Sequence, residues 1–279
     1  MAHRGLTPRQ VTRLARGRGA LHMTEVDELA VEEPLEIRVA DEALAVTMRT
    51  PGEDQALAAG FLFAEGVLGS FADIGSIAHC GDPADDGFGN IVNVTPGPGV
   101  FLDPSRLAAS RRGTLTTAAC GVCGRRSVED LIARCEPVTA QGTISLSRLL
   151  ASVEQLTEVQ TLFRRTGATH GAAAFDLDGR MLASAEDVGR HNAVDKVLGR
   201  LLLDGCASAP AHLVVSGRTS FEIVQKAVVS GVPCVVGVSG TSSLAVDLAQ
   251  RLGVTLIGFA RGDELAIYAH PERVALTTA

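Results

Sequence analysis

The chain has 279 residues, of which 46 % are hydrophobic and 20 % are charged, and its formal net charge is −7. This composition excludes a disordered polyampholyte, and the acidic balance argues against a nucleic-acid-binding protein. The longest apolar runs are far shorter than the roughly 18 residues that span a bilayer, and no signal peptide is visible. Six cysteines are too few for a disulfide scaffold. We therefore expect a cytoplasmic globular protein without a membrane partner, whose cysteines are reduced.

The first part of the chain has a mixed pattern of strands and helices. Alternating apolar residues predict paired strands over residues 35–39 and 44–48, joined by a polar turn. A helix is predicted after the acidic pair at 53–54, where the helix dipole favours negative charge. An acidic, glycine-rich loop over 81–89 and a strand over 90–95 follow.

The second half alternates more regularly between strands and helices. The predicted strands cover residues 172–176, 182–185, 213–216, 234–238, 254–259 and 265–268. The predicted helices cover residues 192–203, 220–230 and 244–252. Continuous apolar strands separated by helices indicate parallel pairing in an α/β sheet.

Charge divides the chain in a similar way. Residues 1–22 contain five arginines and no acid, residues 23–110 contain 16 acids and three arginines, and residues 111–279 are nearly neutral. We predict a basic N-terminal segment (1–22), which is a solvated tail or a first strand over 10–14. A smaller mixed α/β subdomain (23–110) and an α/β domain (111–279) follow.

A pair of cysteines, Cys120 and Cys123, is the sharpest local feature. Glycines flank both thiols, two arginines follow, and Ser127 looks like the capped start of a helix. Positive charge and a helix N-terminus lower the pKa of a thiol, and the thiolate is the reactive form. The pair therefore suits disulfide exchange, persulfide carriage or covalent catalysis.

Other interpretations of the cysteine pair are weaker. A zinc site usually needs four ligands, and neither His79 with Cys80 nor Cys135 completes a set at a convincing spacing. The zinc-deaminase pattern is absent in the required order. A thioredoxin-like redox pair and two ordinary cysteines in a turn remain open. Cys206 and Cys234 lie in apolar surroundings typical of inert core thiols.

Three glycine-containing turns follow predicted strands, at residues 215–221, 238–244 and 258–263. Ligands in open α/β sheets lie at the carboxyl ends of the strands, where backbone N–H groups at helix starts bind anions. Arg218 and Arg261 could add bidentate contacts to a phosphate or a base. The alternative is ordinary Ser/Thr capping of surface helices. We predict a ligand that carries phosphate or a nucleotide, bound in the first turn by Ser216, Gly217 and Arg218.

The segment 186–196, EDVGRHNAVDK, is dense in polar groups. His191 could carry a proton. The alternative is that the acids at 186–187 mark a helix start and that Asp195 and Lys196 belong to a solvated face. His170, His212 and His270 lack such polar neighbours in sequence and are predicted to be structural.

Together these motifs resemble the FdhD (formate dehydrogenase accessory) sulfurtransferase family. The matching stretches occur in family order and cover the chain from about residue 10 to its end. They lie at residues 31–37, 48–52, 60–66, 120–124, 186–196, 216–226 and 258–263.

The resemblance implies a sulfurtransferase that takes persulfide sulfur from a cysteine desulfurase. It would pass the sulfur to the molybdenum (or tungsten) bis-guanine-dinucleotide cofactor that a formate dehydrogenase requires. The persulfide residue maps to Cys120, with Cys123 as a supporting carrier. The residues that map to the family's cofactor-binding stretch are Phe259, Ala260, Arg261, Gly262, Asp263 and Glu264.

The resemblance also implies a fold and an assembly. It predicts a cytidine-deaminase-like α/β domain without the catalytic zinc, preceded by a smaller subdomain, in a homodimer. Two rival functions are a cofactor chaperone that does no sulfur chemistry and a zinc-dependent deaminase.

Overall fold

The computed structural model describes residues 5–14, 23–81, 88–103, 106–107, 135–139, 142–205 and 210–276. Cys120, Cys123 and Cys206, the predicted helix start at Ser127 and most of the predicted loop at 81–89 lie outside these ranges. Within them, no helix has the length and apolar character needed to cross a membrane.

A two-stranded antiparallel ribbon begins the described chain. It pairs β1 (Leu6–Arg13) with β2 (Met23–Ala30). Arg13 of β1 forms ion pairs with Glu25 and Asp27 of β2. The strand predicted at 10–14 is confirmed in a longer form, whereas β2 was missed because acids interrupt its apolar alternation.

A four-stranded sheet and one helix follow. The strands are β3 (Glu33–Val39), β4 (Glu42–Arg49), β5 (Ile74–His79) and β6 (Ile91–Pro96), in the order β4-β3-β6-β5. β3 and β4 form the predicted hairpin, whose turn residues Ala40 and Asp41 both have positive φ, as a tight two-residue turn requires. Helix α1 (Asp54–Ala64) packs against the apolar face of this sheet.

Two helices that the sequence did not predict precede the large sheet. The short strand β7 (Ile144–Ser145) leads into α2 (Leu146–Val159), and α3 (Thr161–Thr166) follows after Gln160. α2 buries residues at helical spacing, among them Leu149, Val153 and Leu156.

The large sheet has six strands in the order β13-β12-β11-β10-β8-β9. These strands are β8 (His170–Phe175), β9 (Met181–Asp187), β10 (His212–Val215), β11 (Cys234–Gly237), β12 (Thr255–Arg261) and β13 (Glu264–Ala269). β10, β11 and β12 are parallel as predicted, and β8 runs antiparallel to both of its neighbours. A final short strand, β14 (Val274–Ala275), pairs with β7.

Successive side chains of a strand point to opposite sides of a sheet. The strands of the large sheet are apolar on both sides, and helices cover both faces. Ala172 and Ala174 face one core, shared with α4 (Arg190–Leu203), α5 (Phe221–Val229) and α6 (Ser243–Leu252). Ala173 and Phe175 face the other core, shared with α2. The result is a mixed α/β fold with several sheets, in which the large sheet lies between two helical layers.

Helices α1 and α4 connect the two sheet regions by touching backbone to backbone. A Cβ added to Gly60 would lie 1.9 Å from the carbonyl oxygen of Asp195. A Cβ added to Gly199 would lie 1.8 Å from the carbonyl oxygen of Ala56. Only glycine permits this approach. α1 is consequently buried on nearly all sides.

Candidate functional site

Two of the predicted polar turns meet at the carboxyl edge of the parallel strands. In the turn after β10, Thr219 donates its backbone N–H to the Gly240 oxygen (3.1 Å). In the turn after β11, Ser242 donates its N–H back to the Thr219 oxygen (3.1 Å). The two turns therefore form one continuous loop surface, at the edge where open α/β sheets hold ligands.

Phe259, near the end of β12, lies beside this loop surface. Its N–H donates to the Ser239 oxygen (3.1 Å), and its φ is +52°, a conformation that non-glycine residues rarely adopt. The ring is 51 % exposed and lies against Gly240, where an added Cβ would be 3.0 Å from it. The predicted residue Phe259 is thus at the same edge as the two turns.

The rest of the predicted cofactor-binding stretch differs in exposure. Ala260 is fully buried in the core shared with α2, so its side chain cannot contact a ligand. Its backbone is the only part that could do so. The residues at the hairpin between β12 and β13 are exposed, namely Arg261, Gly262, Asp263 and Glu264.

The turn after β10 holds the other predicted anion contacts. Ser216 Oγ accepts from the Gly171 N–H (2.9 Å), which ties the end of β10 to the start of β8. Gly217 is buried, and an added Cβ there would lie 3.2 Å from His170 Nδ1 and 3.5 Å from side-chain atoms of Arg190. Arg218 is exposed. The structure therefore places the predicted turn directly against two basic residues from other elements.

His170, Arg190 and Arg218 form a basic cluster around Gly217. Burial lowers the pKa of His170, and the nearby charges of Arg190, His191 and Arg218 lower it further. Burial, followed by the charge of Arg218, lowers the pKa of Arg190. The sequence does not single out Arg190 and indicates a structural role for His170. The sequence signal that could have indicated Arg190 is its position beside Gly189, in the polar segment that joins β9 to α4.

His191 contacts the start of α5 through one ring nitrogen. Its Nε2 lies 2.9 Å from Glu222 Oε2 and 3.1 Å from Ser220 Oγ. A serine–histidine–acid relay needs the serine and the acid on different ring nitrogens, so the geometry does not support a nucleophilic serine here. Ser220 makes no capping bond to α5, whereas Ser242 caps α6 by accepting from the Ala245 N–H (3.4 Å). Ordinary capping thus explains only the second turn.

Asp187, in the segment 186–196, is fully buried and accepts four contacts. Its carboxylate accepts from the N–H groups of Thr50 (3.1 Å) and Gly189 (2.8 Å) and from Asn192 Nδ2 (3.0 Å), and it lies 2.7 Å from Lys196 Nζ. The segment is therefore locked against the loop that follows β4.

The idea of a solvated face at residues 195–196 is wrong. Asp195 and Lys196 are each 2 % exposed, and Asp195 Oδ1 lies 2.6 Å from Lys226 Nζ. Burial raises the pKa of Asp195, and Lys226 opposes that rise. Of the two acids at 186–187, Asp187 ends β9 and accepts from the N–H of Gly189, the N-cap of α4, whereas Glu186 accepts from N–H groups of α3. Lys196 and Lys226 each form an internal ion pair, so neither is placed to hold a ligand.

The described cysteines differ from the predicted reactive pair. Cys234 is buried, which confirms its predicted place in the core, and burial raises the pKa of its thiol to about 12. Cys80 and Cys135 are half-buried. In the described ranges no three His, Cys, Asp or Glu side chains are placed to hold a metal ion. The roles of Cys120 and Cys123 stay predictions, because both residues lie outside those ranges.

Comparison with known proteins finds one matching family and several similar proteins. The model of the FdhD/NarQ family matches residues 30–275. The sulfur carrier protein FdhD of Anaeromyxobacter dehalogenans (strain 2CP-C) is 52 % identical over 258 residues, 90 % of each chain. The protein of the same name from Streptomyces avermitilis is 46 % identical over 269 residues, 92 % of each chain.

The fold also has a counterpart among solved structures. It is the crystal structure of a protein from Desulfotalea psychrophila described as a formate dehydrogenase accessory protein. The TM-score is 0.77 at 24 % identity, over 97 % of this chain and all of the other. This likeness supports the mixed α/β fold described above.

Proposed function

Because the chain belongs to the FdhD/NarQ family, we propose that it is a sulfur carrier with sulfurtransferase activity. It receives persulfide sulfur from a cysteine desulfurase and transfers it to the molybdenum bis-guanine-dinucleotide cofactor, its substrate, for use by a formate dehydrogenase. The observation that carries the proposal is the 52 % identity, over 90 % of both chains, to a protein named sulfur carrier protein FdhD.

The first step uses the thiol pair. The Cys120 thiolate attacks the outer sulfur of the desulfurase persulfide, a new S–S bond forms at Cys120, and the desulfurase cysteine leaves as a thiolate. Arg125 and Arg126 follow the pair and favour the thiolate form by their charge. Cys123 is a second sulfur that can support or take over the carried atom.

The second step needs a site for the guanine-dinucleotide substrate. The carboxyl edge of the parallel strands supports this role, because it combines a half-exposed aromatic ring at Phe259 with an exposed guanidinium at Arg218. An aromatic face can stack on a base. The exposed carboxylates of Asp263 and Glu264 can accept hydrogen bonds from the N–H groups of guanine. Arg261 adds a further cationic contact at the hairpin tip.

The same resemblance leads us to propose the finer fold and assembly. The large sheet would be a cytidine-deaminase-like domain that needs no zinc. The protein would act as a cytoplasmic homodimer.

Mass spectrometry after incubation with a cysteine desulfurase and cysteine tests the proposal. We expect a mass increase of about 32 Da, one sulfur atom, on the peptide that contains Cys120. Cys120→Ser should lose this adduct and should not activate formate dehydrogenase. Cys234→Ser is the matched control and should keep both properties, because its thiol is buried.

The outcomes separate the rival functions. Normal client activation by Cys120→Ser would exclude the carrier role. Absence of the adduct on the wild-type chain, with binding of the guanine nucleotide retained, would instead indicate a cofactor chaperone without sulfur chemistry.

A further inference from the structure

The region of the four-stranded sheet carries an exposed aromatic side chain at Phe101. Its ring is 96 % exposed, the highest value among the large exposed hydrophobic residues of the described chain. The ring borders two surface hollows of about 270 and about 260 Å³. Single exposed hydrophobic residues are ordinary, but a ring beside two hollows is typical of an interaction site. We call this surface the Phe101 patch, and it consists of Leu44, Val100, Phe101, Leu102 and Leu107.

Contacts before and after Phe101 fix the backbone that presents it. On one side, the Gly97 N–H donates to the Asp73 oxygen (2.9 Å). On the other side, Arg106 Nη1 donates to the Gly66 oxygen (2.7 Å). The two leucines that follow Phe101 pack against the core between the four-stranded sheet and α1. The ring therefore points outward from an anchored segment, and a residue that is already ordered loses less entropy when a partner binds.

Acidic side chains surround the Phe101 patch. Glu42 lines the first hollow, and Asp73 and Asp103 line the second. Among the described residues that line the hollows, Arg106 is the one basic residue, and its Nε lies 3.7 Å from Asp103 Oδ2. The surface is therefore negative around an apolar centre. Complementary potentials favour a partner that combines an apolar side chain with lysine or arginine.

The Phe101 patch precedes the thiol pair in the sequence. Leu107 ends a described range, and Cys120 follows thirteen residues later. Thirteen residues span at most about 45 Å, so a protein that docks on the patch has the thiol within reach. None of the described residues that line the two hollows belongs to the large sheet, which carries the residues proposed for the guanine substrate.

We propose that the Phe101 patch is the docking surface for the cysteine desulfurase that donates the sulfur. This inference rests on the proposed function, which requires such a donor. Phe101 packs between apolar side chains of the donor, and basic residues of the donor face Glu42 and Asp103. Docking brings the persulfide of the donor to Cys120, and the exchange of sulfur is the one described above.

Loading of Cys120 from two different donors tests the docking surface. Glutathione persulfide needs no docking surface, because the Cys120 thiolate attacks its outer sulfur and glutathione leaves as a thiolate. Phe101→Ser should lower the loading rate from the desulfurase and cysteine by about tenfold or more, below saturation. The rate from glutathione persulfide should not change. Phe163→Ser is the matched control, because it removes a 46 % exposed ring on α3, and it should load like the wild type from both donors.

Isothermal titration of the full chain with the desulfurase measures docking directly. Phe101→Ser should weaken the affinity by about tenfold or more. Glu42→Gln should lower the association rate and the dependence of that rate on salt, because opposite charges speed the encounter. Wild-type affinity of Phe101→Ser for the desulfurase would overturn the proposal.

Other occupants of the Phe101 patch give different results. Since the Phe101 ring is exposed, Phe101→Ser should keep the melting temperature of the wild type. A lower melting temperature with unchanged affinity for the desulfurase would show that the chain itself covers the ring. A wild-type dimer that dissociates in Phe101→Ser, measured by sedimentation, would show that a second copy covers it. Either result would overturn the proposal.

The same measurements distinguish this inference from the proposed function. Binding of the desulfurase through Phe101, without sulfur on Cys120 from either donor, would support the docking surface and contradict the sulfur carrier. Equal loading of Phe101→Ser and the wild type by the desulfurase would overturn the docking surface and leave the carrier intact. Equal losses with both donors would place the effect at the thiol and would also overturn the docking surface.

Discussion

Lys196 Nζ lies 2.7 Å from Asp187 Oδ2, and the two side chains are 2 % and 0 % exposed. Thr50 contacts both partners, since its N–H donates to Asp187 (3.1 Å) and its carbonyl oxygen accepts from Lys196 (2.8 Å). The pair therefore joins the end of β9, helix α4 and the loop after β4. This joint holds the start of α4 in place, and Arg190 is the first residue of that helix.

Removal of one partner of this ion pair should be strongly destabilising. Lys196→Met leaves the Asp187 carboxylate buried without its cation, and we expect the free energy of unfolding to fall by about 3–5 kcal/mol. Urea unfolding monitored by circular dichroism measures the loss. Arg200→Gln, which breaks the exposed pair with Glu53, should cost less than about 1 kcal/mol. Equal losses for the two variants would contradict the role of burial.

Gly60→Ala should be destabilising although alanine is the better helix former. At an ordinary helical position this change stabilises by about 1 kcal/mol. At Gly60 the added Cβ would lie 1.9 Å from the Asp195 oxygen, so α1 must move away from α4. We expect a net loss of about 2 kcal/mol or more in urea unfolding. A gain in stability would show that the helices do not touch backbone to backbone.

His212 should make the protein less stable in acid. It is fully buried, its ring stacks on Phe175 at 5.0 Å, and its Nε2 lies 2.8 Å from Ser152 Oγ. Burial lowers its pKa to about 4 from the ordinary value of 6.5. The unfolded chain therefore takes up a proton between these pH values while the folded chain does not, so stability falls as the pH drops from 6.5 to 4. The shift corresponds to ~3 kcal/mol at full effect.

Unfolding free energies at several pH values between 4 and 7 check the His212 prediction. In His212→Gln this contribution should vanish, so the variant should show a shallower pH dependence than the wild type over that window. His270→Gln is the control, because His270 is half-buried at the surface and bonded to Glu272. The prediction fails if His212→Gln retains the full acid slope of the wild type.

Phe259→Ala should lower the affinity of the protein for guanosine and for GDP by the same factor. Stacking of a base on an aromatic ring contributes about 1–3 kcal/mol, which is roughly five- to 150-fold in affinity. Pyrophosphate binding should not change, because it has no base to stack on the ring. The ring is half-exposed and its φ is positive, so we expect no loss of thermal stability. Unchanged affinity for guanosine in titration calorimetry would remove Phe259 from the base site.

The large sheet could be predicted because its signals are local. Strand β10 is a continuous apolar run, and a glycine-containing polar turn and then helix α5 follow it. The same pattern recurs at β11 and α6. Such patterns follow from side-chain size and backbone preference within a few residues.

Elements with weaker local patterns were missed. Strand β2 carries acids that pair with Arg13 of β1, so its stability comes from a neighbour and not from apolar alternation. The burial of Asp195 was equally hidden, because its counterion Lys226 lies 31 residues further along the chain. Charged residues are expected at the surface unless a partner is known, and only the fold supplies that partner.

The sequence by itself determined the thiol pair, the parallel core of the sheet and the resemblance to one family, since each rests on neighbouring residues and their spacing. Only the tertiary structure decided that His170, Arg190 and Arg218 lie around Gly217. It also decided that Lys196 and Lys226 pair with buried carboxylates. The physical reason is that charge and burial depend on distances between residues that are far apart in the chain. Those distances exist only after the strands and helices have packed.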